Sequence, residues 1–181
     1  MLVIGITGRN CAGKDTLADE LESRGFERHS LSDAIREELR ARGQEITRDA
    51  LIKLGRELRE SEGPAVLAER MKRMIKTDRV TLVSVRSPAE IESLRQLDRF
   101  VLVTIEAPVA MRYGRELSRA REGACGTLDE FIAIEERENT SDPNAQQLSA
   151  AIAMADHEIL NDGDFDALTQ CVEAFLGELD A

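Results

Sequence analysis

A glycine-rich turn between a short apolar run and a helical pattern constrains this chain more than any other sequence feature. Residues 2–7, LVIGIT, are apolar enough for a buried strand, and GRNCAGKDT at 8–16 follows them directly. The next residues carry leucine and alanine at helical spacing until Gly25, and glycine is a common signal for the end of a helix. The pattern therefore predicts a strand, a tight turn and a helix in immediate succession.

The turn has the spacing of a phosphate-binding loop, Gly-x-x-x-x-Gly-Lys. Glycines allow main-chain N–H groups to turn inward as an anion-binding nest, and the following helix adds its positive N-terminal end. The lysine then reaches the outer phosphates of a triphosphate, so we expect ATP as the cofactor. The residues expected to contact the nucleotide here are Gly8, Asn10, Ala12, Gly13, Lys14, Asp15 and Thr16. The alternative is a glycine-rich turn with a surface lysine.

An acid follows the lysine of this loop, at the position where serine or threonine usually binds Mg²⁺. Asp15 offers a hard carboxylate oxygen and Thr16 a hydroxyl, and both are oxygen ligands that suit Mg²⁺. We therefore predict Mg²⁺ with Asp15 and Thr16 as its candidate ligands. The alternative is that Asp15 only stabilises the N-terminus of the helix through its charge.

Strand-like and helix-like segments alternate along the rest of the chain. Runs of valine, leucine and isoleucine predict buried strands at 80–85 and 100–105, and shorter strands are expected at 28–31 and 157–160. Alternation of this kind predicts an α/β fold, a three-layer doubly wound parallel sheet of about five strands.

No linker or internal repeat divides the 181 residues, so we expect a single domain. Its core would comprise residues 1–31 and 78–181. Residues 32–77 are almost wholly helical by pattern and form a predicted insertion between two strands.

Charge and composition argue against several classes of partner. A formal net charge of -11 argues against a surface for double-stranded nucleic acid, because binding a polyanion requires lysine and arginine along the contact. The apolar run at 2–7 is too short for a membrane span or the core of a signal peptide. We expect a cytoplasmic monomer or homodimer with a small-molecule partner and no membrane association.

Two motifs in order resemble those of phage-type deoxynucleoside monophosphate kinases. The loop ends in Gly-Lys-Asp-Thr, and Arg86-x-Pro88-x-Glu90 follows a buried strand, as in the second motif of that family. Where the family usually carries an aspartate near the end of that strand, this chain has Ser84.

A second resemblance spans nearly the whole chain. The loop and helix, the segment 26–33, the run DRFVLVTIEAP at 98–108 and the ending ADHEILNDG at 155–163 are similar to dephospho-coenzyme A kinases and their nucleotide-kinase relatives. Both resemblances imply transfer of the γ-phosphoryl group of ATP to a nucleotide-like acceptor. A (deoxy)nucleoside monophosphate is the first expectation and dephospho-coenzyme A the second.

The resemblances also imply roles for individual residues. Asp33 matches the aspartate that acts as general base on the acceptor, and Asn161 and Gly163 match a loop near the adenine ring. Arginines of the insertion, and the arginine of the second motif, would bind the acceptor; these are Arg36, Arg48 and Arg86. Each of these side chains could instead serve an ordinary structural role, as an acid in the first turn of a helix, a loop residue or a surface ion pair.

An arginine-rich helix after Pro108 is expected to be part of a lid over residues 109–140. Arg112, Arg115 and Arg119 recur at helical spacing, and arginine suits phosphate because its planar fork makes bidentate contacts. We predict catalytic roles for Lys14, Arg115 and Arg119, with a solvated charged face as the alternative for the arginines. A non-catalytic ATP-binding sensor is the rival function from another class, since Asp15 and Ser84 both depart from the usual metal site.

Overall fold

The structure is a computed structural model that describes residues 1–118, 126–142 and 145–180. Within them, five parallel strands form one sheet in the order β2-β3-β1-β4-β5. The strands are β1 (Leu2–Thr7), β2 (Glu27–Ser30), β3 (Arg79–Val83), β4 (Phe100–Glu106) and β5 (His157–Leu160). The predicted fold class, a doubly wound parallel sheet, is therefore confirmed.

Helices connect the strands and cover both faces of the sheet. The described helices are α1 (Lys14–Ser23), α2 (Leu31–Ala41), α3 (Arg48–Glu62), α4 (Val66–Met74), α5 (Pro88–Leu94), α6 (Val109–Ser118), α7 (Leu128–Glu138), α8 (Leu148–Ala153) and α9 (Phe165–Asp180). The sequence pattern did not predict α8, which is only six residues long and has no side-chain cap at its start. None of the described helices is both long and apolar enough to cross a membrane.

Two hydrophobic cores lie on opposite faces of the sheet because successive side chains of a strand point to opposite sides. Val3 of the central strand β1 belongs to the core that α2, α3, α4 and α5 cover. Ile4 and Ile6 of the same strand belong to the core formed with α1 and α9. The central strand is thus fixed from both sides, and the loop that follows it has a rigid base.

Local capping signals set the start of several helices. The hydroxyl of Thr47 accepts a hydrogen bond from the N–H of Ala50 and caps α3. Ser87 caps α5 in the same way through the N–H of Glu90. Ser87 and Glu90 have the spacing of a capping box. A reciprocal bond from the Ser87 N–H to the Glu90 carboxylate is absent among the described contacts, because this carboxylate accepts from the main-chain N–H of Arg86 and from Arg59.

Strand β3 ends two residues earlier than the pattern at 80–85 predicts. Ser84 has a φ of 67°, a left-handed conformation that takes the chain out of the sheet. Because all strands are parallel, their carboxyl ends meet at one edge. The loop after β1 therefore lies between Ser84, which follows β3, and Glu106, which ends β4.

Candidate active site

The loop between β1 and α1 adopts a conformation that requires glycine at two positions. Gly8 has a φ of 137° and Gly13 a φ of 112°. A Cβ on Gly8 would lie 2.3 Å from the carbonyl oxygen of Ile105, and one on Gly13 would lie 2.2 Å from Nδ2 of Asn161. Both glycines are therefore needed because the loop passes close to neighbouring backbone and side-chain atoms.

Lys14 is the first residue of α1 and its side chain turns back over the loop. Its Nζ donates hydrogen bonds to the carbonyl oxygens of Gly8 and Arg9, both at 2.7 Å. Burial, and after it the positive charge of Arg86, lowers the pKa of Lys14 from 10.5 to about 8. A cation that is poorly solvated and close to a helix N-terminus is suited to an anionic ligand.

Side chains from α6 and from the segment after β5 hold the carbonyl groups of the loop. Nη1 of Arg115 donates to the carbonyl oxygens of Cys11 and Ala12 at 3.4 and 3.3 Å. Nδ2 of Asn161 donates to the carbonyl of Ala12 at 2.8 Å, and Arg115 also bonds to the Asn161 carbonyl at 3.1 Å. In a trans peptide unit N–H and C=O point in opposite directions, so these contacts turn the N–H groups that follow Cys11 and Ala12 away from α6.

One pocket opens beside the loop near the carboxyl end of β2. This β2-side pocket has a volume of about 350 Å³. Its lining includes Asp15, Arg28, Ser30, Asp33, Arg36 and Ser84. The structure thus brings three predicted site residues, Asp15, Asp33 and Arg36, into one polar pocket.

A second pocket opens on the opposite side of the loop, near the carboxyl end of β5. This β5-side pocket has a volume of about 330 Å³. Its lining includes Gly13, Thr16, Arg115, Asn161, Gly163 and Phe165. Phe165 is 58% exposed, so its ring can stack on a planar group in this pocket.

Asp33 has both a structural and a pocket-facing role. Its Oδ2 accepts from the N–H of Ser30 at 2.8 Å and completes a capping box at the start of α2. Its Oδ1 accepts from Arg36 at 2.7 Å, and the same guanidinium donates to Ser32 at 2.7 Å. Asp33 is therefore an acid that caps the first turn of α2, and its carboxylate also lies at the surface of the β2-side pocket.

The two candidate metal ligands lie on opposite sides of the loop. Asp15 lines the β2-side pocket, whereas Thr16 lines the β5-side pocket. Asp15 pairs with Arg28 at 2.5 Å, and Arg28 also pairs with Asp19. The described residues contain no cluster of three or more histidine, cysteine, aspartate or glutamate side chains that could hold a metal.

The remaining predicted residues are only partly described. Nη1 of Arg86 donates to Gln146 at 2.8 Å, and its charge acts on Lys14. Arg48 is the first residue of α3, but its side chain lies outside the described part of the structure. Arg119 also lies outside the described residues.

Three contributors to the site were not singled out from the sequence. Arg28 and Phe165 line the two pockets, and Glu135 contacts the main chain of Asn10. Asn10 and Glu135 are 125 residues apart, and no local pattern marks such a pair. In the sequence, the signal that could have indicated Phe165 is an aromatic residue directly after Asp164, which caps α9.

The sheet order, the glycine loop and the flanking helices define the fold of the P-loop kinases. A shikimate kinase from Bacteroides thetaiotaomicron matches with a TM-score of 0.60 and 15% identity, over 99% of this chain and 99% of that chain. A gluconokinase from Sinorhizobium meliloti matches with a TM-score of 0.54 and 12% identity, over 98% of this chain and 93% of that chain. At these identities the likeness shows the fold alone, and it does not single out nucleoside monophosphate kinases or dephospho-coenzyme A kinases.

Comparison with curated proteins gives the family. A UPF0200 protein of Methanothrix thermoacetophila is 33% identical over 187 residues, which cover 99% of this chain and 98% of the relative. A UPF0200 protein of Pyrococcus abyssi is 29% identical over 98% of this chain and 97% of its own length. No protein-family model matches the sequence. The chain belongs to the UPF0200 family.

The depressed pKa of Lys14 is directly testable. We expect the Lys14 amine to titrate near pH 8 in ¹³C NMR of the lysine Cε atoms, with the resonance assigned by its loss in Lys14→Met. Between this value and 10.5 the unfolded chain binds more protons than the folded one, so the contribution of Lys14 to the free energy of unfolding rises with pH in that interval. A resonance that titrates near 10.5 would contradict the burial of the amine over the loop.

Proposed function

We propose that this protein is an ATP-dependent phosphotransferase that moves the γ-phosphoryl group to a nucleotide-like small molecule, a (deoxy)nucleoside monophosphate being the first candidate. The observation that carries the proposal is the arrangement of two pockets on opposite sides of one phosphate loop. Phosphoryl transfer requires a donor and an acceptor that meet in line, and catalysis consists mainly of positioning and charge stabilisation.

The donor would occupy the loop and the β5-side pocket. The loop amides and Lys14 bind the triphosphate, while the base lies against Phe165 and the segment that contains Asn161 and Gly163. Asp15 offers a carboxylate oxygen in the β2-side pocket and Thr16 a hydroxyl oxygen in the β5-side pocket. Mg²⁺ takes oxygen ligands of both kinds, so either residue, but not both as one cluster, would contact a metal that accompanies ATP and neutralises phosphate charge. Asp15 would bind a metal only after its ion pair with Arg28 has opened.

The acceptor would occupy the β2-side pocket. Arg28 and Arg36 provide two guanidinium groups for an anionic acceptor, and Asp33 orients it or accepts its proton. The helices α2, α3 and α4 lie between β2 and β3 in the chain, and we assign the acceptor-binding insertion to about 32–77. We also assign Arg48 and Arg86 to binding of the acceptor. The lid would comprise about 109–140, which contains α6 and α7, and Arg115 and Arg119 would belong to it.

Dephospho-coenzyme A is the second candidate acceptor. A carboxylate at the pocket surface, as found for Asp33, favours an acceptor that reacts through a hydroxyl group. A hydroxyl must lose its proton during transfer, whereas the phosphate of a nucleoside monophosphate is already ionised.

A non-catalytic ATP sensor is favoured by one different observation. Arg28 forms an ion pair with Asp15, and Ser84 stands where phage-type deoxynucleoside monophosphate kinases usually have an aspartate. The β2-side pocket, as described, therefore offers few groups that could bind a metal. In that case ATP binds but no acceptor is phosphorylated.

Release of ADP with a panel of acceptors distinguishes these functions. We expect turnover that nucleoside monophosphates or dephospho-coenzyme A stimulate, and that Lys14→Ala abolishes because the loop loses its one lysine. Lys53→Ala, on the exposed face of α3, is the matched control and should keep the wild-type rate. Tight ATP binding without any turnover would establish the sensor, and equal turnover without acceptor would indicate a simple nucleotide hydrolase.

The role of Asp33 is tested by Asp33→Asn. Asparagine keeps an oxygen for the N–H of Ser30, so α2 stays capped, but it cannot accept a proton. For a hydroxyl acceptor we expect kcat to fall by about 100-fold or more, the contribution of a general base. Glu37→Gln, an exposed change on the same helix, serves as the control. An unchanged kcat in Asp33→Asn with a hydroxyl acceptor would remove Asp33 from the chemistry.

A further inference from the structure

A buried ion pair between α6 and α7 contacts the phosphate loop. Arg112 of α6 is only 4% exposed, and its Nη1 pairs with Oε1 of Glu135 on α7. The same guanidinium donates from Nε to the carbonyl of Ala107 at 3.1 Å and lies 5.5 Å from the centre of the Phe131 ring. The arginine is therefore fixed by contacts on several sides.

Both atoms of this ion pair also bind the main chain of Asn10 in the loop. Nη1 of Arg112 donates to the Asn10 carbonyl at 3.2 Å. Oε1 of Glu135 accepts from the Asn10 N–H, also at 3.2 Å. Residues from two different helices thus hold the two polar main-chain groups of one loop residue.

These contacts determine how two successive peptide units of the loop are oriented. The N–H belongs to the unit between Arg9 and Asn10, and the carbonyl belongs to the unit between Asn10 and Cys11. Since each unit is planar and trans, turning the Asn10 carbonyl toward Arg112 directs the N–H of Cys11 the opposite way. Arg115 and Asn161 impose the same orientation on the next two carbonyls, so the pair extends that arrangement toward the start of the loop.

A gain in the stability of the fold does not by itself explain why this ion pair is buried. Removing two charges from water costs free energy, and replacing both partners with apolar residues is often neutral or stabilising. A carboxylate beside a polyphosphate site also repels the ligand unless a cation neutralises it, as Arg112 does for Glu135. The arrangement therefore serves the conformation of the loop better than the stability of the fold.

We propose that Arg112 and Glu135 form a positioning pair, which fixes the main chain of Asn10 and so prepares the loop amides for a polyphosphate. The proposal rests on the proposed function, since it assumes that the loop binds the phosphates of ATP. It makes phosphate affinity depend on the packing of α6 against α7, which are the two described helices of the assigned lid. Neither residue touches the transferred group in this role.

The decisive variant removes both charges together, as Arg112→Met with Glu135→Leu. No buried charge is left unpaired, so we expect a free energy of unfolding equal to or above that of the wild type. By calorimetry, its affinity for inorganic tripolyphosphate should be at least about tenfold weaker, while its affinity for adenosine stays within about twofold. Tripolyphosphate probes the loop alone and adenosine probes the base pocket alone.

A matched control removes a different pair on α1. Arg24 and Glu20 form an ion pair near the C-terminal end of that helix, away from the loop, and Glu20 is also buried. Arg24→Met with Glu20→Leu should leave the affinity for tripolyphosphate within about twofold of the wild type. A loss as large as in the Arg112 and Glu135 variant would show that any removed pair has the same effect, and it would overturn the proposal.

The remaining outcomes separate the proposal from the proposed function. If the wild type binds tripolyphosphate and the double variant binds it equally well, the pair is only structural. If the wild type binds neither tripolyphosphate nor ATP, the proposed function fails and the positioning role fails with it.

Should the double variant not fold, Arg112→Lys carries the test. It keeps the charge but cannot reach Ala107, Asn10 and Glu135 at once, so the same loss of tripolyphosphate affinity is expected with a near-native melting temperature.

Discussion

The outward orientation of the carbonyl groups in the loop between β1 and α1 is the constraint on which the rest of the site depends. Arg112, Arg115 and Asn161 each donate hydrogen bonds to carbonyls in the middle of the loop, those of Asn10, Cys11 and Ala12. The carbonyls of Gly8 and Arg9, at the start of the loop, face Lys14 instead. A planar peptide that presents its C=O outward presents its N–H inward. Side chains from distant parts of the sequence therefore orient the main-chain groups that we propose bind an anion.

The sheet supplies the rigid frame for this arrangement. β1 is the middle strand and is packed by hydrophobic cores on both faces, so the loop begins from a fixed point. Gly8 passes so close to the Ile105 carbonyl of β4 that no side chain fits there. Since all strand ends converge on one edge, the loop separates two pockets, one near β2 and one near β5. A protein with a net charge of -11 can thus present local cationic and main-chain donors where an anion is needed.

The sequence predicts the fold and the loop well because both depend on local patterns. Residues close together in the chain form the apolar runs of the strands, the spacing of Gly8 and Gly13, and the helix caps at Thr47 and Ser87. The pairing of charged side chains was not predictable in the same way. Asn161 donates a hydrogen bond to Ala12 from 149 residues away, and Arg28 forms an ion pair with Asp15. Tertiary packing decides which of these polar groups meet. The contacts of Arg115 with the loop carbonyls of Cys11 and Ala12 were not predicted either, because they depend on how close the loop passes to α6. The expected contact of the α6 arginines with phosphate stays a prediction.

The central claim is that inward-facing main-chain N–H groups and one lysine bind the polyphosphate of a nucleotide. The most direct measurement is a crystal structure with a hydrolysis-resistant ATP analogue. We expect the β- and γ-phosphates above α1, with loop N–H groups as donors and Lys14 Nζ moved from the carbonyls of Gly8 and Arg9 onto phosphate oxygen. A triphosphate bound elsewhere, or a loop that stays empty at saturating analogue with Lys14 still on its own carbonyls, would contradict it.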